Sequence, residues 1–392
     1  MMKLFQNIKI KTKTSNVDWH KKCENIEMAI ALTMLFYLFV FFCAYVFGYN
    51  PFQIKNFARW DSGIYASISE NGYMIETIEG KDTLNGNCGW FPLYPFLIFL
   101  LKKGFNLDFN SASLIICTVS IILINYMIQK IIELNDIDEI NPMVCILFSL
   151  LFFGSIYLVA AFPMSLCIVL MVISVYFINA KKYFLSGIFC FLTCMTYSTA
   201  FLFCGALGLY IISEAIQEKV TFKKFIIRCI VSPVFGFMGF WFSQFIMFLY
   251  TGNYKSFFMT QKKYGHGLHN PFITLGKFLE NLNNKDLIKS QESFIALMIL
   301  IVFIISTYIF VFKKVYKTRI CAFGYYSMLI IYIFLMVMGN GVSPYRQYLL
   351  CLFDSFLLAS KYTGKHFKVL IIGMLFVSSI FEIKLFLTAK II

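Results

Sequence analysis

Uncharged runs of bilayer length constrain this chain more than any motif does. Residues 28–48 carry no charge over 21 positions, 142–180 over 39 and 183–213 over 31. About 20 apolar residues cross the hydrocarbon core as a helix. In lipid every backbone amide needs a partner within the spanning structure, which leaves helices or a closed barrel. The runs show no strict alternation, and that selects helices. With 59% hydrophobic residues and 14% charged ones, the chain is not a soluble domain.

The net charge of +14 is distributed in short Lys/Arg clusters between the apolar runs. That is how topology determinants are placed. No basic face interleaved with aromatics is present, so nucleic acid is not an expected partner. Twelve cysteines are scattered, mostly inside apolar runs, where Cys behaves as a small hydrophobe. Cys190 and Cys194 have helical spacing within one span. No Cys/His ligand cluster is visible in the sequence, so neither structural zinc nor a disulfide framework is expected.

Hydropathy and lysines together predict the topology. Residues 1–27 form a polar, lysine-bearing cytoplasmic segment, and 28–392 a single membrane domain. A first retained helix at 28–48 leads to an outer loop, 49–108, with a half-buried interfacial helix at 90–101. Spans follow at 109–129, in a hairpin at 142–180 broken at Pro163, and in two short helices within 183–213 tipped near Tyr197. Further spans are expected at 229–250, 293–312, 320–338, 347–360 and 369–387, with a second large outer loop at 251–292. This all-α polytopic fold has about eleven helices. It puts 20 Lys/Arg in inner loops and 12 in outer ones, the bias expected of cytoplasmic loops.

Under this topology the unusual residues collect on the outer side: "RWDSGIY" (59–65), "WFPLYP" (90–95), the Pro163 tip, "TQKKYGHGLHNP" (260–271) and "GNGVSPYRQY" (339–348). Asp61, beside Trp60 at a membrane surface, has the partly desolvated setting of a general base. Equally, it could cap a helix beginning at Ser62. Arg346 follows a Gly/Ser/Pro turn and offers a planar fork of donors suited to phosphate. Arg59 could do the same, or snorkel to headgroups. Lys262, Lys263, His266 and His269 form a Gly-broken basic loop that suits anionic headgroups, and without a nearby carboxylate the two histidines suggest no metal. Trp90 and Tyr94 are aromatic anchors of an interfacial helix. Asp354 falls within an expected span and needs a polar partner there.

"RWDSGIYASISENGY" followed by "WFPLYP" resembles the GPI mannosyltransferase II (PIG-V) family and its bacterial mannosyltransferase-like relatives. "TGNYKSFFMTQKKYGHGLHNP", "AFPMSL" and "SPYRQYLL" are similar to later family stretches in the same order, so the resemblance runs over essentially the whole chain. It implies a GT-C class glycosyltransferase that moves a sugar, usually mannose, from a polyprenyl-phosphate carrier to a glycan or glycolipid acceptor on the outer face. On that resemblance Asp61 is the catalytic base, Arg346 with Lys262 and Lys263 hold the donor phosphate, and Arg59, Trp60, Tyr65, Trp90, Tyr94 and His266 contact substrate. No cofactor or metal is implied. The chain departs from the family at Met164, where Glu is frequent, at Ile64, at Gln347, and in "TYSTA" (196–200), which lacks an Arg. The expected location is the cell membrane, or the endoplasmic reticulum membrane in a eukaryote. The rival classes are a lipid or solute transporter or flippase, expected to carry ionisable residues deep within its helices, and a non-catalytic scaffold of the same fold.

Overall fold

A chain of this hydropathy must satisfy its amides internally, and in the computed structural model it does so with helices. The structure describes residues 2–77, 84–135, 140–263, 270–281, 287–313, 315, 318–338 and 344–388. Among these, six segments are long and apolar enough to cross a membrane: Lys22–Val46, Phe109–Leu134, Ser198–Glu218, Phe222–Thr251, Ser293–Phe312 and Lys365–Leu387. The protein is therefore a helical membrane protein. Three shorter apolar helices, Met164–Asn179, Tyr183–Cys194 and Arg319–Phe334, accompany the six.

In chain order, α1 (Met2–Val46) runs without a break through the polar segment expected to precede the first span. Next come α2 (Asp61–Asn71), a two-stranded antiparallel ribbon of β1 (Ile75–Thr77) and β2 (Leu84–Gly86), and α3 (Leu93–Phe105). The ribbon is a small departure from an all-α fold, with Glu76 opposite Asn85. The helix expected at 90–101 begins at Leu93 because Pro92 stands at its N-cap. Then follow α4 (Phe109–Leu134), capped by Asp108, and α5 (Pro142–Leu150), capped by Asn141.

The expected hairpin at 142–180 is only half a hairpin. Its second limb is α6 (Met164–Asn179), starting right after Pro163, but its first limb is nine residues of α5 followed by buried irregular chain. Irregular backbone at membrane depth survives only where protein satisfies it. Here Glu382 accepts from the Gly154 amide at 2.9 Å, the Ser379 hydroxyl donates to the Leu151 carbonyl at 3.1 Å, and the Ala161 amide donates to the Phe57 carbonyl at 2.8 Å.

The pair expected within 183–213 is present as α7 (Tyr183–Cys194) and α8 (Phe201–Glu218), with Tyr197 in the turn between them. Beyond these lie α9 (Phe222–Cys229), a π-turn containing Pro233, and α10 (Phe235–Thr251). The loop expected at 251–292 holds α11 (Ser256–Lys263), α12 (Pro271–Asn281) and the start of α13 (Leu287–Phe312). After α14 (Arg319–Met338), the span expected at 347–360 is instead α15 (Pro344–Tyr348), a 3-10 turn and α16 (Asp354–Ala359), and α17 (Lys365–Leu387) ends the described chain. The 347–360 stretch is apolar because it lies in the protein core, where residues Leu349–Ala359 are buried, rather than because it faces lipid.

The bundle has two chemically distinct ends. At one, Glu214 and Glu218 of α8 receive Arg228 of α9 at 3.0 and 3.3 Å, and Arg319 of α14 at 3.5 and 2.8 Å. Lys181, in the α6–α7 turn, reaches Glu218 at 2.6 Å, and the Tyr183 hydroxyl donates to Glu214 at 2.7 Å. Lys181, Arg228 and Arg319, from three of the basic clusters assigned to one side by sequence, thus converge on one acidic pair. The opposite end carries the N-termini of α2, α3, α6 and α8 and is where the candidate site forms.

Between α7 and α10 the helices approach to backbone contact, as small residues allow. A Cβ on Gly239 would lie 2.1 Å from the Phe191 carbonyl oxygen, and one on Gly187 2.1 Å from that of Val231. Gly239→Val is therefore expected to destabilise the protein by about 1–3 kcal/mol, read as an earlier thermal transition in detergent. Gly373→Ala, at a position with open space, should leave the transition in place.

Candidate active site

Asp61 is the first residue of α2, whose N-cap position is Trp60 and carries no side-chain cap. The local turn is closed instead by Ser62, whose Oγ accepts from the Arg59 amide at 3.1 Å and donates to the Ala161 carbonyl at 3.0 Å. That leaves the Asp61 carboxylate free to project inward, where Oδ2 receives the guanidinium of Arg346. The helix-capping reading of Asp61 gives way to an ion pair between residues 285 positions apart. Both side chains are largely withdrawn from solvent, at 18% exposure for Asp61 and 12% for Arg346.

The pair has an aromatic wall. The Arg346 guanidinium lies over the Phe162 ring at 5.9 Å, within cation–π range. Phe162 contacts Tyr157 at 5.1 Å. Burial opposes the charge on Arg346, but Tyr197, Asp61 and Tyr157 around it outweigh that and hold its pKa above the ordinary value. Tyr65, one turn along α2 from Asp61, is fully buried edge-on to Tyr94 at 5.3 Å. Burial, with Asp61 and Tyr197 adding to it, holds the Tyr65 phenol well above its ordinary value. Tyr65 therefore stays protonated at neutral pH.

Trp60 takes φ +42° and ψ −107°, a conformation L-residues avoid, costing about 1–3 kcal/mol. Its ring stands edge-on to Phe386 at 5.2 Å, which helps hold the kink that aims Asp61. Arg59, expected either to bind phosphate or to snorkel to headgroups, donates to the Leu387 carbonyl at 3.2 Å. A cation at the end of α17 complements the exposed carbonyls there.

The other sequence candidates are placed as follows. Tyr94 is buried against Tyr65, and the Trp90 carbonyl accepts from the Tyr73 hydroxyl at 2.7 Å. The amide of Leu93, at the start of α3, bonds the Met195 carbonyl at 3.1 Å, joining "WFPLYP" to the Tyr197 turn. Lys262 and Lys263 are exposed at the end of α11, and Lys263 donates to Asn85 of the ribbon at 2.7 Å. His266 and His269 lie outside the described residues. Met164 is buried at the start of α6.

Three contributors escaped the sequence reading. Tyr197 appeared only as a helix tip, Phe162 only as part of "AFPMSL", and Ser62 only as the residue after Asp61. Each is identified by proximity to an ion pair that no local pattern announces. Deeper in the membrane domain, Asp354 accepts from the Ser306 hydroxyl at 2.6 Å, and Glu382 is equally buried. Two buried acids, Asp354 and Glu382, thus lie within apolar stretches of the chain. Glu382, however, is engaged by Gly154 and Ser378 and secures the irregular chain.

An apolar cavity of about 280 Å³ is lined by Tyr37, Phe41, Phe52, Phe57, Val159 and Ala161 among others. Ala161 connects its wall to the α2 turn, since its carbonyl accepts from Ser62 and its amide donates to Phe57. The site itself thus combines a carboxylate with a largely desolvated guanidinium. Compared with known proteins, the chain matches no family model, no curated sequence and no solved structure.

Proposed function

We propose that the protein is an integral-membrane glycosyltransferase, most simply a mannosyltransferase, that takes its sugar from a polyprenyl-phosphate donor at the extracytoplasmic surface. The carrying observation is the Asp61–Arg346 pair, with an apolar cavity whose wall includes Ala161, the acceptor of Ser62 in the same turn. A proton acceptor, an anion-binding fork and an apolar space are the three contacts a lipid-linked sugar phosphate demands, and the resemblance of "RWDSGIY" and "WFPLYP" to the GPI mannosyltransferase II family points the same way.

In this reading the resting pair keeps two desolvated charges neutral. The donor phosphate competes for the Arg346 guanidinium, and the carboxylate is released to the acceptor. The acceptor hydroxyl gives its proton to Asp61 as its oxygen attacks the anomeric carbon. The bond from that carbon to the phosphate oxygen breaks, and polyprenyl phosphate departs with the electron pair. Arg346 stabilises the charge gathering on the leaving phosphate, the kind of electrostatic contribution that dominates many active sites. Phe162 and Tyr65 exclude water from the pair, which strengthens both interactions. Lys262 and Lys263 guide the anionic donor from the surface.

The test is reconstitution in liposomes with radiolabelled polyprenyl-phosphate mannose and native membrane lipids as acceptors. Label appearing in an acceptor together with free polyprenyl phosphate supports the transferase. Intact donor moving between leaflets, with no sugar released, would make the protein a flippase instead.

A further inference from the structure

The cysteines carry an inference independent of the proposed reaction. Cys190 and Cys194 stand one turn apart on α7 and so share a face. The turn at 195–200 returns the chain as α8 and brings Cys204, absent from the sequence reading as a neighbour of that pair, against both. Cys204 Sγ lies 3.5 Å from Cys190 Sγ and 3.5 Å from Cys194 Sγ. All three sulfurs fall within 4.8 Å of one another, and all three residues are buried. On the third side Gly236 of α10 makes room, since a Cβ there would meet Cys190 Sγ at 2.4 Å. These three sulfurs face one another.

We propose that Cys190, Cys194 and Cys204 form a three-sulfur site for a soft monovalent cation of the Cu(I) class. The spacing fits, because three sulfurs about 2.3 Å from a central ion in one plane stand roughly 4 Å apart. The donor type fits as well, since thiolates select soft ions such as Cu(I). Structural zinc takes four ligands in a tetrahedron, and among the described residues this His/Cys/Asp/Glu group has three members. Coordination exchanges thiol protons for the cation, each coordinating thiol losing its proton to become the thiolate ligand. Affinity should therefore fall as pH falls.

The experiment titrates the purified, reduced, full-length protein with Cu(I) held by a chromogenic chelator under anaerobic conditions. Wild type is expected to withdraw one Cu(I) per chain, with X-ray absorption showing three sulfur neighbours at about 2.3 Å. Cys204→Ala should abolish the withdrawal, while Cys43→Ala with Cys351→Ala, buried thiols elsewhere, should preserve it. Copper remaining on the chelator with wild type would overturn the assignment. So would equal loss in the Cys43/Cys351 variant. Should Cys204→Ala fail to fold, the wild-type absorption spectrum decides: three sulfurs support the site, and two sulfurs or nitrogen and oxygen neighbours refute it.

Discussion

Asp61→Asn should yield a folded, membrane-inserted protein whose sugar transfer is lower by about 10²- to 10⁴-fold, the usual worth of a positioned general base. Asparagine keeps the shape and an oxygen facing Arg346 but cannot take the acceptor proton. It also leaves the guanidinium without a neutralising charge, so stability should drop, and the rate must be normalised to monodisperse protein by size-exclusion chromatography. Asp61→Glu separates the two effects, since it restores the charge while displacing the carboxylate by one methylene. The glutamate variant should regain most of the stability and only part of the rate. Transfer by Asp61→Asn at the wild-type rate would remove Asp61 from the chemistry.

Arg346→Met should act on both binding and turnover. Losing one positioned donor to a developing negative charge costs about 10²- to 10³-fold in kcat, and a donor phosphate that also uses this group in the ground state should show a raised KM. The variant further leaves Asp61 buried and unpaired, which for a truncated buried pair costs about 3–5 kcal/mol. Arg346→Lys returns a cation without the planar fork and should recover stability more fully than rate. Asp61→Asn combined with Arg346→Met should be less destabilised than the two single changes summed, because the pair is lost once and not twice. Additive losses in thermal stability would mean that the contact between them carries little energy.

Much of the helical order was legible because lipid imposes a coarse filter. An uncharged run of 20 residues has few fates, and Pro163 and the Tyr197 turn mark their breaks openly. The failures share a cause. Apolarity does not say whether a segment meets lipid or protein, and the 347–360 stretch looks like a span while its short helices lie in the core. The irregular chain at 151–163 was hidden for the same reason, its amides being satisfied by Glu382, Ser379 and Phe57, all distant in sequence. Glu382 itself was visible as an acid inside an apolar run, a placement that calls for a partner.

At the site, sequence identified Asp61 and Arg346 separately and gave them complementary charges. It could not show that they meet, because their contact joins α2 to α15 across most of the chain. The same limit hid Cys204: its spacing from Cys194 has no helical meaning until the 195–200 turn folds α8 back on α7.

The most direct test of a single-base displacement at Asp61 is the anomeric configuration of the product. With a polyprenyl-phosphate mannose donor of defined configuration, NMR of the isolated product reads the one-bond carbon–proton coupling at the transferred sugar. Direct attack by an acceptor hydroxyl deprotonated by Asp61 requires inversion. Retention would require a glycosyl intermediate on the protein and would contradict the role assigned to Asp61.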